Sequence, residues 1–382
     1  MLKFDDPDFT PFPIVKYIGP EYFCDRADEL KRLISAVKND RPVTIFSVRR
    51  MGKTGLVKHL HHHLRKSRKY ICIYVDIFAT TSDVEFANKL VTASIAALKT
   101  NKKSFVTNMV EVFSKYKPRI TFDHTTGQPA IELGIHTAAE AKMSLNTLFS
   151  LLAEQKKTVQ IAIDEFQQIA LYDKKSTVAA TVREYMQSIQ NLHFIFSGSQ
   201  RHLLLDIFNN PKQPLFRMVD QLYLHEIGFS DYHKFIVQKF EKAGKEIDDT
   251  VVHDLLHWTR QHTFYVQVIC NKLYGLGKKK IESRDLIMVQ QDTLKELEMN
   301  FINIKRLMSV NQYKTLRGIA KEGTVTTVRS KDFTKNYNLA ASTAQQSLEF
   351  LLDKEMIYEK IGEEKTDYQV YDLFLSKWLE LS

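Results

Sequence analysis

The sequence has few cysteines and no long hydrophobic run. Its three cysteines, Cys24, Cys72 and Cys270, are odd in number and far apart, so they do not form the pattern of a disulfide framework, and we expect a cytoplasmic protein. No apolar run approaches the roughly 20 residues that span a membrane. Residues 1–20 lack the hydrophobic segment of a signal peptide. These absences favour a globular protein without a membrane partner.

The chain also lacks internal repeats and low-complexity linkers. Its 382 residues are 44% hydrophobic and 11% aromatic, which suits two or three globular domains with true cores. The net charge is +9, and the excess is local, because residues 31–70 hold twelve Lys or Arg and a single acid, Asp40. A nucleoside triphosphate and solvated helix surfaces both account for this surplus, whereas nucleic acid is compatible with it but not required.

The most informative stretch is VTIFSVRRMGKT, residues 43–54. A short β-branched run leads into a loop that ends in Gly-Lys-Thr, and an amphipathic helical pattern follows. This strand–loop–helix order predicts a phosphate-binding P-loop, in which backbone amides and the helix N-terminus face the phosphates. The pattern has glycine where this chain has Ser47, which can serve if its φ angle is negative. The predicted nucleotide-binding residues here are Ser47, Arg49, Arg50, Met51, Gly52, Lys53, Thr54 and Gly55.

Two acids end the strand pattern TVQIAIDE, residues 158–165. Side chains at the carboxyl end of a parallel strand face the crevice where ligands bind. We expect Asp164 and the Thr54 hydroxyl to hold Mg²⁺, Lys53 to reach the β- and γ-phosphates, and Glu165 to act as the general base toward an attacking water.

Polar residues also follow the strand pattern NLHFIFSGS, residues 191–199. Ser199 is the predicted contact to the γ-phosphate or attacking water, with Ser197 and Gln200 as alternatives, and a simple turn is about equally compatible with the pattern. Arg217 is the candidate arginine for charge that develops on the γ-phosphoryl group, and Arg201 competes for that role.

Alternation of strands and helices predicts an α/β fold with a doubly wound parallel sheet. Its five strand patterns lie near residues 43–46, 69–78, 158–165, 191–199 and 221–227. We predict an N-terminal segment (1–20), a P-loop core (21–228) with a hairpin insertion near 118–134, and a helical lid (229–300) without strands. Residues 301–382 have the helices-then-hairpin order of a winged helix.

The motifs VRRMGKT, IDEFQQI, FSGSQ and PLFR, preceded by FCDRADEL, resemble the archaeal-type ATPase family, in the STAND branch of AAA+ P-loop NTPases. The resemblance covers most of the chain. It implies ATP or ADP as ligand, and adenine contacts by Phe23 and Arg26. The family usually has glycine where this chain has Asp25. Its lid has Gly-x-Pro where this chain has Gln261-His262-Thr263, and His262 is included among the nucleotide-binding residues.

The C-terminal region is divided in charge. Residues 301–340 carry a net +6 and residues 341–382 a net −5, and the candidate recognition helix, 340–354, contains Glu349 and Asp353 but only one base, Lys354. DNA-reading helices usually bring Arg or Lys to phosphates and base edges. We therefore predict an Mg²⁺-dependent ATPase that acts as a nucleotide-driven switch, with a protein partner or self-association possible. A DNA-binding ATPase and a nucleotide-binding scaffold without turnover stay open as alternatives.

Overall fold

The computed structural model describes residues 9–98, 119–122, 129–132, 134–173, 176–361 and 366–382. These residues divide into two compact units. The first comprises residues 11–232 and 262–264, and the second comprises the rest of the described chain. A search of the described helices for a stretch both long and apolar enough to cross a bilayer finds none.

The first unit alternates helices and strands as the hydrophobic pattern predicts. In chain order it contains α1 (Ala27–Lys38), β1 (Val43–Phe46), α2 (Lys53–Lys66), β2 (Tyr70–Asp76), α3 (Asp83–Leu98), β3 (Arg119–Phe122), β4 (Pro129–Glu132), α4 (Ala138–Ala153), β5 (Thr158–Asp164), α5 (Val178–Ser188), β6 (Leu192–Gly198), α6 (Arg201–Asn209) and β7 (Asp220–Tyr223). Short 3-10 helices cover Pro20–Tyr22 and Phe166–Leu171.

The central sheet is five-stranded and parallel, in the order β2-β5-β6-β1-β7. In this arrangement β1 and β7 start together, because Val43 pairs with Asp220, and they end together, because Phe46 pairs with Tyr223. All carboxyl ends therefore lie at one edge of the sheet, where α/β folds bind ligands. The predicted doubly wound parallel sheet is confirmed.

Both faces of the sheet are covered, and alternate residues of each strand supply the two cores. On β5, Val159, Ile161 and Ile163 belong to the core that α3, α4, α5 and α6 cover. Ala162 faces the opposite core, which α1 and α2 cover. This two-sided burial explains why the strand sequences are near-continuous hydrophobic runs.

The fifth strand differs from the sequence prediction, whereas the hairpin insertion agrees with it. The fifth strand is Asp220–Tyr223, so it begins one residue earlier and ends well before the predicted Ile227. The insertion is an antiparallel hairpin, as predicted, with Arg119–Phe122 paired to Pro129–Glu132. The residues that connect these two strands in sequence, 123–128, lie outside the described residues.

The remaining elements are mostly helical: α7 (Phe229–Glu241), β8 (Glu246–Ile247), α8 (Asp249–Trp258), α9 (Thr263–Gly275), β9 (Lys280–Ile281), α10 (Ser283–Arg306), α11 (Val310–Glu322), α12 (Lys331–Asn336), α13 (Ala341–Asp353), β10 (Ile357–Ile361), β11 (Thr366–Val370) and α14 (Leu373–Leu381). The expectation of a strand-free stretch was wrong, because β8 and β9 form a two-residue parallel pair. Such short strands leave no readable alternation in the sequence.

Helices α11 to α13 and the antiparallel β10–β11 hairpin form the predicted winged-helix order. Gly318 on α11 permits close packing on α12, since an added Cβ would lie 2.6 Å from the Phe333 ring. Helix α14 was not predicted from the sequence. Asp372 caps this helix by accepting hydrogen bonds from the backbone N–H groups of Phe374 and Leu375. Residues 362–365, between β10 and β11 in sequence, lie outside the described residues.

Candidate functional site

The P-loop runs from Ser47 to Gly52, between the end of β1 and the start of α2. Gly52 has a φ of +97°, a conformation that side chains with a Cβ rarely adopt. Arg50, with φ +62°, also turns the backbone left-handed, whereas Ser47 does not have a positive φ. Serine therefore fits the position where the P-loop pattern has glycine, and the condition set from the sequence is met.

Lys53 is the first residue of α2 and is only 5% exposed. Its ammonium donates to three loop oxygens: Ser47 O at 3.2 Å, Ser47 Oγ at 3.1 Å and Val48 O at 3.2 Å. Burial lowers the pKa of Lys53 to about 8, and the nearby carboxylates of Glu165 and Asp164 partly oppose that shift. A buried cation that is held by neutral oxygens suits an anionic ligand, because a phosphate would restore its charge balance.

Asp164 ends β5 and is 3% exposed. Its Oδ1 accepts from Ser197 Oγ at 2.6 Å and from the backbone N–H of Glu165 at 3.1 Å. Its Oδ2 accepts from Thr54 Oγ1 at 2.6 Å and from the Tyr74 hydroxyl at 2.8 Å. The predicted metal pair, Thr54 and Asp164, is thus in direct contact. Mg²⁺ binds hydroxyl and carboxylate oxygens as ligands, so Thr54 and Asp164 fit this ion.

Tyr74 was missed in the sequence analysis. Burial, with Asp164 nearby, raises the pKa of the Tyr74 phenol, so the hydroxyl stays protonated and donates to the carboxylate. The pattern of β2 contains this tyrosine, but only the sheet order shows that β2 lies beside β5. The parallel pairing of Tyr74 with Ala162 and of Asp76 with Asp164 brings the hydroxyl to the site.

Glu165 follows Asp164 in a left-handed conformation, with φ +57°. Its Oε2 accepts from Gln167 Nε2 at 2.6 Å and from Ser199 Oγ at 3.0 Å. Gln167 can reach this position because Gly198 has no side chain: a Cβ there would lie 1.9 Å from Gln167 Oε1. The sequence pattern of Ser197-Gly198 is also compatible with a simple turn, and no sequence signal marks Gln167 or Gly198 as part of the site.

Ser199 joins the loop to the acidic pair. Its hydroxyl donates to Glu165 and lies 3.2 Å from Arg49 Nε, which donates to it. Ser197, the alternative from the sequence, is instead engaged by Asp164. The structure thus brings Arg49, Lys53, Thr54, Asp164, Glu165 and Ser199 to the carboxyl edge of the sheet.

The lead-in residues lie beside the P-loop. Arg26 is buried, and its guanidinium donates to Glu29 Oε1 at 2.9 Å and to the Met51 carbonyl at 3.4 Å. The Phe23 ring lies against α2, since a Cβ on Gly55 would be 3.1 Å from it. Met51 turns its side chain into the core, so it offers a ligand only its backbone. The adenine contacts implied for Phe23 and Arg26 remain predictions.

Residues 262–264 belong to the same compact unit as the P-loop and bind three successive loop residues. His262 Nε2 lies 3.1 Å from the Arg49 carbonyl, and Thr263 Oγ1 donates to the Met51 carbonyl at 3.3 Å. The Arg50 guanidinium lies 4.2 Å from the centre of the Phe264 ring. Burial lowers the pKa of His262 to about 4, so the ring is neutral and Nε2–H is the donor to the carbonyl.

Arg217 is not brought to this cluster. It precedes β7, whose first residue pairs with the first residue of β1, so it lies at the amino edge of the sheet. Its backbone N–H donates to the Phe208 carbonyl at 2.9 Å, and its exposed guanidinium lies 5.0 Å from the Phe216 ring. The P-loop leaves the opposite end of β1, about 10 Å away along the strand. Contact between Arg217 and a γ-phosphate on its own chain is therefore not supported.

Comparison with protein families agrees with this geometry. The family described as "ATPase domain predominantly from Archaea" matches residues 23–268. The chain belongs to this family. A second family, described as "probable winged helix domain", matches residues 299–381 of this archaeal-type ATPase. A comparison with curated proteins gave no match.

Solved structures share the fold of this archaeal-type ATPase at low identity. The Walker-type ATPase PABY2304 of Pyrococcus abyssi is 17% identical, with 97% of this chain and 99% of that chain covered and a TM-score of 0.66. The Aeropyrum pernix ORC2 protein in ADPNP–ADP complexes is 14% identical, with 97% and 96% covered and a TM-score of 0.56. The A. pernix ORC1 protein in complex with DNA is 10% identical, with 98% and 96% covered and a TM-score of 0.53.

Proposed function

We propose that this chain binds ATP with Mg²⁺ at the P-loop and hydrolyses it, and that exchange between ATP and ADP drives a conformational switch. The observation that carries the proposal is one hydrogen-bonded cluster at the carboxyl edge of the sheet. There the Thr54–Asp164 pair adjoins the buried Lys53, and Glu165 is held by Ser199 and Gln167. The ATPase family membership and the nucleotide complexes of the ORC2 protein support it.

Each residue has a defined task in this proposal. The loop amides and Lys53 hold the β- and γ-phosphates, and Thr54 and Asp164 would hold Mg²⁺, which neutralises phosphate charge when bound. Glu165 accepts a proton from the attacking water as the new bond to the γ-phosphorus forms. The bond from that phosphorus to the β–γ bridging oxygen breaks, and ADP leaves with the electron pair.

The decisive experiment compares nucleotide affinity and ATP turnover in the wild type, Lys53→Ala and Glu165→Gln, with Lys66→Ala as a control that removes an exposed lysine from the same helix. We expect Lys53→Ala to lose binding, Glu165→Gln to bind without turnover, and Lys66→Ala to match the wild type. A wild type that binds nucleotide but never turns over, alone or with DNA, would instead indicate a nucleotide-stabilised scaffold.

The switch has its own test. We propose residues 21–228 as the ATPase core, 229–300 as the lid and 301–382 as the winged helix, with the γ-phosphate contacts setting the lid position. Loss of these contacts on hydrolysis would then change the scattering profile and the pattern of limited proteolysis between the ATP state of Glu165→Gln and its ADP state. Identical profiles and patterns in both states would contradict the switch.

A second candidate function is duplex DNA binding by the C-terminal region, because the A. pernix ORC1 protein was solved with DNA and Arg329, Lys331 and Lys335 are exposed. Against it, α13 presents Glu349, and its flanking Lys354 pairs with Asp353 at 2.9 Å. We expect no duplex binding at about 0.15 M salt. Binding that falls steeply with salt and weakens in a Lys331→Ala, Lys335→Ala double variant would favour the DNA function instead.

A further inference from the structure

Phosphoryl transfer spreads negative charge over the γ-phosphoryl oxygens, and a guanidinium at that point commonly stabilises the transition state. Arg217, the arginine expected from the sequence, lies at the other edge of the sheet, and the buried Arg26 is engaged by Glu29 and the Met51 carbonyl. If an arginine of the same chain meets this charge, it is therefore neither Arg217 nor Arg26.

Arg49 lies beside the Ser199–Glu165 pair. Its Nε donates to Ser199 Oγ at 3.2 Å, and Ser199 donates to Glu165 Oε2 at 3.0 Å. Ser199 thus links the Arg49 guanidinium to the carboxylate of Glu165, which is proposed to activate the attacking water. Burial lowers the pKa of Lys53, and the Arg49 charge lowers the pKa of this ammonium further.

Backbone contacts and conformation hold the Arg49 side chain toward Ser199. The carbonyl of Arg49 accepts from His262 Nε2 at 3.1 Å, so the loop is held at this residue. Arg50 follows with φ +62°, and this left-handed turn sends its side chain elsewhere, to the Phe264 ring at 4.2 Å. The two consecutive arginines therefore have different surroundings, and only the first joins the Ser199–Glu165 pair.

We propose that Arg49 is a catalytic arginine supplied in cis, which contacts the γ-phosphoryl oxygens and stabilises their charge in the transition state. Ser199 aligns the guanidinium with Glu165, and His262 is a positioning residue that acts through the Arg49 carbonyl. This assignment rests on the proposed ATPase function. It differs from a plain phosphate-binding role because the contact strengthens only as charge develops.

The test uses full-length Arg49→Ala and Arg49→Lys, with Arg183→Ala as a control that removes an exposed arginine from α5. Turnover is measured beside the affinities for ADP and for ADP with aluminium fluoride, a mimic of the transferring phosphoryl group. We expect Arg49→Ala to lose about a thousandfold in kcat and to lose tight binding of the fluoride complex. Its ADP affinity should stay within about twofold of the wild type, and Arg49→Lys should recover part of the loss because it restores charge without the fork.

Two results overturn the assignment within an active ATPase: normal turnover and fluoride-complex binding in Arg49→Ala, or an equal loss of ADP affinity, which would mark a purely structural role in the loop. A wild type that binds ADP but neither turns over ATP nor binds the fluoride complex overturns the proposed function itself, and the arginine assignment with it.

Mixing experiments separate supply in cis from supply in trans. Arg49→Ala retains Glu165, and Glu165→Gln retains Arg49, so a mixture regains activity only if the arginine is delivered between chains. We expect no recovery for this pair. Recovery would overturn the cis assignment. The same mixture with Arg217→Ala in place of Arg49→Ala tests whether Arg217, which the fold places at the far edge, serves a neighbouring copy.

Discussion

The two edges of the central sheet are built from the same five strands but differ in how far their charged side chains are exposed to water. At the carboxyl edge, Lys53 and Asp164 are 5% and 3% exposed, and both side chains are hydrogen-bonded to neighbouring residues. At the amino edge, Arg41 Nη1 pairs with Asp220 Oδ2 at 2.9 Å, and both side chains are 51% exposed. Water screens the attraction between Arg41 and Asp220, whereas it is largely excluded from Lys53 and Asp164.

This difference shows where the chain can perform chemistry. Charges in water contribute little to each other, whereas buried charges retain strong interactions and shifted pKa values that a ligand can exploit. The carboxyl edge combines a lowered lysine pKa, a buried carboxylate and the P-loop backbone. The variants below test whether the carboxyl edge is as sensitive, and the amino edge as tolerant, as this comparison implies.

Among the variants that compare the two edges, Gly198→Ala should have the largest effect. Its Cβ would lie 1.9 Å from Gln167 Oε1 and 2.8 Å from Leu204 Cδ1, so these side chains must shift, and we expect the Gln167–Glu165 hydrogen bond to be lost. We expect turnover to fall about tenfold or more, and the overpacking to cost about 1–3 kcal/mol of unfolding free energy. ATP turnover and thermal unfolding by circular dichroism measure the two effects.

A companion variant separates them. Gln167→Leu removes the hydrogen bond without the clash, so it should reproduce the loss of turnover with a smaller loss of stability. Gly275→Ala is the matched control, because a Cβ there meets nothing within 4 Å. If Gly198→Ala retained wild-type turnover, the placement of Glu165 by Gln167 would be refuted.

The pH dependence of nucleotide binding is the next largest effect. The pKa of Lys53 is lowered to about 8, and bound phosphate favours the ammonium and so raises that pKa. Affinity should therefore be constant below pH 8 and fall about tenfold per pH unit above it, because a proton must then be taken up on binding. Calorimetric titration with ADP between pH 7 and pH 9.5 measures this slope.

Lys53→Arg supplies the control for that slope. A guanidinium stays charged throughout this range, so any binding that the variant retains should be independent of pH. A wild-type affinity that stays flat to pH 9.5 would mean that Lys53 does not titrate with ligand binding. The groups facing Lys53 in this experiment are Glu165, Asp164 and Arg49.

Local sequence predicted the fold and most of the cluster, because each P-loop and strand-end residue is adjacent in sequence to its own structural element. Lys53 and Thr54 begin a helix, and Asp164, Glu165 and Ser199 lie at or just after the ends of strands. Strand order, by contrast, depends on pairing between distant segments. Arg217 therefore seemed eligible from sequence, and the pairing of Asp220 with Val43 is what places it at the other edge.

The sequence also did not reveal which non-glycine residues have a positive φ. Asp25 and Gln261 stand where the family usually has glycine, and both have positive φ, at +51° and +55°. The chain thus keeps the glycine-type conformation at two positions without glycine, and aspartate tolerates it better than glutamine. Ser47 differs, since its position does not need a positive φ. The sequence could not distinguish these cases.

Tyr74→Phe should have a smaller effect on the carboxyl edge. It removes one of four hydrogen bonds to the Asp164 carboxylate and leaves the ring in place. We expect a loss of about 1 kcal/mol in unfolding free energy and a modest weakening of Mg²⁺-dependent nucleotide binding. Tyr185→Phe is the control, because its hydroxyl donates to the exposed Asn146 at 2.7 Å. Equal losses in the two variants would show that burial of Asp164 adds nothing to the bond.

Arg41→Ala, at the amino edge, should have the smallest effect. Its pair with Asp220 joins the start of β1 to the start of β7, but half of each side chain is exposed, so solvent and salt screen the attraction. We expect a change of no more than about 0.5 kcal/mol in unfolding free energy, and ADP affinity within error of the wild type, by thermal unfolding and calorimetry. The amino edge is the far end of the same strands. A loss of ADP affinity in Arg41→Ala would therefore show that a change at the start of β1 alters the position of the P-loop at its other end. The contrast between the two edges would then reflect coupling through the strand rather than burial alone.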